Sequence, residues 1–148
     1  MVEMYKKILC AIDGSETSLK ALEHAVDLSS KYNAELLILS VVNQLSFPFA
    51  AEYGLWAKES HDAVTRMILE SLNSSMTEIR LQNPELKVDA EIKEGRPASV
   101  IVETAQERDF DLVVIGRSGY GLVERLVMGS VSSEVVNTST KPVLIVNA

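Results

Sequence analysis

A chain of 148 residues, 47% hydrophobic and 24% charged, has the size and composition of one globular domain that can bury a core without disulfides or structural metal. Its net charge of -7 and the lack of any Lys/Arg run argue against a nucleic-acid or anionic-membrane partner, because the average surface repels phosphodiesters. Met1 to Lys7 carry no apolar signal-peptide region and the apolar runs are strand-length, so a cytoplasmic protein is expected.

Lys6 to Ile12 (KKILCAI) reads as a buried strand that holds the single cysteine, Cys10, as a packed thiol rather than a nucleophile. Asp13-Gly14-Ser15 breaks it with turn and N-cap chemistry. A helix is expected from about Glu16 to Tyr32, since Leu22, Ala25, Val26 and Ser29 share one face. Glu35 to Val42 (ELLILSVV) is a second strand, too continuously apolar for a solvated face. Asn43 to about Tyr53 lacks a period and contains Pro48, so it reads as a loop. A long helix follows with the stripe Val64, Ile68, Leu72, Ser75 and Ile79, ending at Asn83-Pro84.

Val88, Ala90 and Ile92 alternate with Asp89, Glu91 and Lys93, the pattern of a strand wetted on one side at a sheet edge. Gly95-Arg96-Pro97 turns the chain into a helix carrying Val100, Ile101, Thr104 and Ala105. Leu112 to Ile115 is a fourth buried strand, Arg117 to Ser130 is Gly-rich, Val131 to about Thr138 is a helix, and Pro142 to Val146 is the last strand. Alternation of this kind specifies an α/β fold. The expected architecture is a single Rossmann-like domain over residues 1–148: a doubly wound, five-stranded parallel sheet in order 3-2-1-4-5 with helices on both faces.

In such a sheet ligands sit at the carboxyl ends of the strands where the winding reverses, here between the first and fourth strands. After the first strand the chain reads Asp13-Gly14-Ser15. After the fourth it reads Gly116-Arg117-Ser118-Gly119-Tyr120-Gly121 and continues to Met128-Gly129-Ser130-Val131. Glycines before a helix start let backbone N–H groups approach phosphate oxygens, and the helix end adds partial positive charge. The overall acidity does not forbid an anion there, because exposed charges are screened beyond roughly 8 Å while contacting amides are not. Taken alone, the glycines fit a tight surface loop equally well.

The spacing Gly116-x2-Gly119-x9-Gly129-Ser130 resembles the nucleotide-binding signature of the universal stress protein family. The opening KKILCAIDGSETSLKALEHAVDLS, the strand LLILSVV, the stretch EGRPASVIVETAQERDFDLVVIG and the ending STKPVLIVNA resemble that family in the same order, over essentially the whole chain. The resemblance implies ATP as ligand, with Gly116 and Gly119 shaping the ribose and phosphate side of a pocket. Gly129, Ser130, Val131 and Ser132 would bind phosphates through amides and hydroxyls. Asp13 would face the ribose or a phosphate-bound Mg²⁺, with the backbone of Ala11 and Ile12 beside it, and Val41 would lie against adenine. Ala11 and Ile12 stand where some ATP-binding members have Pro and Thr, so a side-chain contact at Ile12 is ruled out while backbone contacts survive.

Other residues admit blander readings. Asp13 is also an N-cap carboxylate, and capping is compatible with binding. Arg117 either reaches a γ-phosphate or sits on the surface. His24 and His61 have no partner at metal-ligand spacing. Phe47, Phe49, Tyr53 and Trp56 cluster around the long loop, as a lid, a partner surface or simple packing. The apolar last strand at a sheet edge predicts a two-fold homodimer through that strand, to which the resemblance also points. The chain has no Walker-type lysine loop, His-x-Gly-His or Ser-Gly-Gly-x-Asp-Ser motif, and no acidic cluster of a phosphorelay receiver. The expectation is therefore an ATP-binding, stress-response regulatory protein with no catalytic residues assigned. The alternatives are a slow ATP hydrolase, or a dimeric interaction module with a vestigial pocket; the protein partner is not specified by sequence.

Overall fold

The computed structural model describes residues 4–42, 55–117 and 128–147, with residues 55–61 described by their backbone alone. Along the chain run β1 (Lys7–Ala11), α1 (Glu16–Tyr32), β2 (Glu35–Val42), α2 (Leu55–Gln82), β3 (Val88–Glu94), α3 (Pro97–Glu107), β4 (Leu112–Gly116), α4 (Ser130–Thr138) and β5 (Val143–Val146). All five strands pair in parallel, in the order β3-β2-β1-β4-β5. The expected doubly wound sheet is thus the one formed.

Strand pleating sorts the apolar residues into two cores. On one face Ile8, Cys10, Leu36, Ile38 and Val114 meet Ala21, Leu22 and Ala25 of α1 and Leu72 and Ile79 of α2. On the other face Leu9, Ala11, Leu37, Leu39, Val113 and Ile115 meet Ala98, Ile101 and Ala105 of α3 and Val135 of α4. Both faces of β1 are covered, so its run of apolar residues needs no polar alternation, and burying each Leu or Ile side chain contributes about 1.5–3 kcal/mol. Cys10 is fully enclosed; burial pushes its thiol up to about 12, which keeps it protonated and inert.

Helix α1 starts at the expected Asp13-Gly14-Ser15 break, and its N-cap is Ser15 rather than Asp13. Ser15 is extended (φ -69, ψ 161), and its side chain accepts from the Ser18 amide. It ends at Asn33, whose left-handed φ of 53 lets its amide return to the Ser29 carbonyl.

The α2 stripe is used along most of its length. Leu72 and Ile79 are buried and Ile68 and Met76 pack against the core, while Val64, nearest the start of the stripe, is 40% exposed. Strand β3 lies at one edge and ends at Glu94, one residue past its alternation; the next residue, Gly95, has a φ of 143 that suits only glycine, and its amide donates to the Val42 carbonyl at 3.0 Å. Strand β5 lies at the opposite edge, with Val143, Leu144 and Ile145 half-buried. Among the described residues, no helix is long and apolar enough to cross a membrane.

Candidate functional site

The carboxyl tips of β2, β1 and β4 stand side by side. Ala11 is level with Leu39 of β2 and with Ile115 of β4. One residue on, the Ile12 amide donates to the Leu39 carbonyl at 2.9 Å, which carries the ladder to the edge of the sheet. Ile12 and Asp13 therefore lie beside Gly116 and Arg117, while Val41 stands two residues beyond Leu39 on the other flank. The Asp13 carboxylate is exposed; its Oδ1 accepts the Ser15 amide at 2.8 Å, and its own amide donates a long bond to Ser18 Oγ at 3.3 Å. This Asx turn holds Asp13 at the tip of β1.

Gly116 belongs to the last position of β4, not to the loop after it. A Cβ there would stand 2.8 Å from the carbonyl carbon of Thr17, 2.9 Å from its oxygen and 3.0 Å from the Ser18 amide nitrogen. The glycine is required by the close approach of the first turn of α1, a backbone contact with no room to relax. Sequence reasoning assigned this residue to a ligand pocket and missed its contact with α1.

The segment after β4 is closed at its base. Arg117 donates its amide to the Val146 carbonyl at 3.0 Å, and its own carbonyl accepts the Gly129 amide at 2.9 Å. Gly129 is the N-cap of α4, extended at φ -62 and ψ 157, with no side-chain cap. The Ser132 hydroxyl, almost fully buried, donates to the Gly116 carbonyl at 2.6 Å. These bonds hold the amino end of α4 against the tip of β4. The first intrahelical bond is that of the Ser133 amide to the Gly129 carbonyl at 2.9 Å, so the amides of Ser130, Val131 and Ser132 have no intrahelical acceptor.

Of the ten residues expected at the site, Ala11, Ile12, Asp13, Val41, Gly116, Gly129, Ser130, Val131 and Ser132 are described and lie on the strand tips or the start of α4. Gly119 lies outside the described residues, as do Ser118, Gly121 and the aromatic positions Phe47, Phe49 and Tyr53. Ser132 differs from expectation in one respect: its hydroxyl proton is committed to Gly116, which leaves its amide as the donor. His24 is on the exposed side of α1, and among the described residues no group of three His, Cys, Asp or Glu side chains could hold a metal.

A cleft of about 360 Å³ between the end of α1 and the connection before β3, lined by Ser29, Asn33, Asn83 and Leu86 among others, opens at the amino end of the sheet. It is remote from the strand tips. Sequence reasoning also missed a pair behind the site, Arg96 on the β3–α3 turn and Glu134 on α4, whose charged atoms approach to 2.5 Å.

Three comparisons agree with this architecture. The chain is 33% identical over 145 residues to a universal stress protein of Methanocaldococcus jannaschii, covering 97% of this chain and 82% of the relative. It superposes on the universal stress protein UspA from Lactobacillus plantarum with a TM-score of 0.85 at 25% identity, covering 96% and 97% of the two chains. It also superposes on a universal stress protein solved in complex with cAMP, with a TM-score of 0.68 at 25% identity and 96% coverage of each. A model of the universal stress protein family matches residues 4–147, and the chain therefore belongs to that family.

Proposed function

We infer that this protein binds ATP at the tips of β1, β2 and β4 and acts as a nucleotide-dependent regulator in a stress response rather than as a fast enzyme. The observation that carries the reading is the anchored, side-chain-free start of α4. The Gly129–Arg117 and Ser132–Gly116 bonds hold that helix end beside the winding reversal, with three consecutive amides available to an anion. Helix starts of this kind suit phosphate through both donors and dipole.

In this reading Ser130, Val131 and Ser132 donate amides to the phosphates, and Gly129 permits the approach. Gly116 and Gly119 border the ribose and phosphates. Ala11 and Ile12 present backbone, and Val41 flanks the base. Asp13 faces the ribose or a Mg²⁺ ion. Among the described residues its second carboxylate oxygen has no hydrogen-bond partner, which fits a hard cation that takes one protein carboxylate and completes its shell with phosphate oxygens and water. Such an ion would supply charge neutralisation. The relative crystallised with cAMP supports an adenine nucleotide as the ligand class. Among the described residues no His lies at these tips, and Lys93, paired with Val41, donates from Nζ to Thr104 Oγ1 at 3.1 Å, which favours binding over turnover; weak hydrolysis is the second reading.

Dimerisation through β5 completes the proposal. The strand is an edge with half-buried Val143, Leu144 and Ile145. Light scattering should give twice the chain mass at micromolar concentration.

The experiment is to denature the purified protein and identify any released nucleotide, then to follow melting with ATP, ADP, AMP, cAMP and GTP in the presence of Mg²⁺. A ligand at 100 times its Kd raises stability by about 2.7 kcal/mol. Neither a released adenine nucleotide nor any stabilisation would leave a dimeric module with a vestigial pocket.

A further inference from the structure

Glu134 lies four residues after Ser130, on the same face of α4. Its Cβ leans towards the amino end of the helix, and the rise from Ser130 is only about 6 Å at about 1.5 Å per residue. A carboxylate there falls within the screening distance of about 8 Å from any anion held by the Ser130 to Ser132 amides. Left alone it would oppose that anion. It is not left alone: Arg96 places Nη1 2.5 Å from Glu134 Oε1 and 3.2 Å from Ser99 Oγ.

The placement of Arg96 is built into the backbone. It follows Gly95, whose left-handed φ of 143 makes the turn and whose amide is bonded to the Val42 carbonyl at the tip of β2. Its own carbonyl accepts the Val100 amide as the N-cap of α3, without a side-chain cap, so the guanidinium is directed elsewhere. The pair is partly exposed, with 57% of the Arg96 side chain and 33% of the Glu134 side chain in solvent. Such pairs add little to folding stability, so its consequence lies in the local field.

We propose that Arg96 is a positioning residue for polyphosphate: it holds and neutralises Glu134 one turn behind Ser130, so that the start of α4 presents a net positive field to the ligand. The proposal rests on the nucleotide reading above. It makes selectivity among nucleotides depend on phosphate number through a residue outside the glycine signature.

The test is a cycle of Arg96→Gln, Glu134→Gln and the double variant, with Arg96→Lys as the conservative control. Affinities of the full chain for ATP, AMP and adenosine are measured by calorimetry at low and physiological salt. Arg96→Gln should weaken ATP about 5- to 10-fold at low salt and adenosine less than about 2-fold, with AMP between them, because only the phosphates feel the exposed carboxylate. Glu134→Gln should bind ATP at least as tightly as the parent, the double variant should recover to within about 2-fold of Glu134→Gln, and Arg96→Lys should retain most of the affinity. Equal losses from Arg96→Gln and Glu134→Gln, or equal losses for ATP and adenosine, would overturn the electrostatic role while leaving the nucleotide site intact. A parent protein that binds none of the three ligands would overturn both readings together.

Discussion

Two helices begin at the same end of this sheet, and they begin in opposite ways. At α1 the orphan donors are spent inside the protein. The Ser15 hydroxyl accepts the Ser18 amide, the Asp13 carboxylate accepts the Ser15 amide, and Ser18 Oγ donates to the Ser15 carbonyl at 2.9 Å. At α4 the cap is a glycine without a side chain, and the Ser132 hydroxyl turns away to fasten the helix to β4. A start that consumes its own amides is a structural joint, whereas one that is braced and, among the described residues, leaves its amides without side-chain acceptors has the form of the proposed phosphate site. Gly116 joins the two: its α-carbon abuts Thr17 and Ser18 of α1, and its carbonyl holds Ser132 of α4.

The largest effect is therefore expected at that shared residue. Gly116→Ala drives a methyl group into the Thr17 backbone at 2.8 Å, and backbone cannot rotate away as a side chain can. Overpacking of this kind costs about 1–3 kcal/mol or more, and both helix starts should shift with it. Urea unfolding should show the loss, and nucleotide affinity should fall with it. An unchanged midpoint would mean that α1 can retreat from β4, and that the two starts are not mechanically joined.

Ser132→Ala and Ser15→Ala then separate them. Ser132→Ala removes the brace of α4 and leaves the Gly116 carbonyl without that donor, at a cost of about 1–3 kcal/mol. Nucleotide affinity should drop at least tenfold, since the open amides lose their registration with the strand tips. Ser15→Ala removes only a cap, at about 1 kcal/mol, and should leave affinity within about twofold once the folded fraction is accounted for. If Ser15→Ala weakened the nucleotide as much as Ser132→Ala, the start of α1 would be part of the receptor, and the contrast between the two would fail.

The same contrast marks what could be read in the sequence. Strand order, the cap of α1 and the edge position of β3 follow from local signals: continuous apolar runs, Ser15 before a periodic stripe, and the alternation from Val88 to Ile92. The break at Asp13 was legible for the same reason, whereas the glycine-then-serine start of α4 was singled out by its resemblance to a family signature, and the helix begins at Ser130, one residue before the expected Val131. The brace was not, because Ser132 and Gly116 are joined across two elements and no period encodes the bond. Gly116 looked like loop chemistry, although its glycine character is dictated by a turn of α1 that lies far away in the chain. The pairing of Arg96 with Glu134 is hidden in the same way, since each residue alone reads as an ordinary surface charge. Val64 erred in the other direction: it continued a valid helical period, yet it is 40% exposed.

The smallest effect belongs at the far end of the sheet, where charge rather than backbone ties the chain together. There Asp111 Oδ2 accepts the amides of Lys6 and Lys7 at 2.8 and 3.0 Å, and Lys141 Nζ meets Asp109 Oδ1 at 2.6 Å. The hydrogen bond and charge of Lys141 hold the Asp109 carboxyl below its ordinary value of 3.8, with a small opposing contribution from burial. A carboxyl that is more acidic in the folded chain contributes its stability in full above that ordinary value and loses it as pH falls through the folded value. With the Asp109 side chain 84% exposed, screening leaves little of this contribution. Asp109→Asn should thus leave the melting temperature at neutral pH almost unchanged, slightly flatten the acid limb below about pH 4, and leave nucleotide affinity untouched. A shift in affinity from this position would show that the two ends of the sheet communicate, and that the amino end is more than a passive clamp.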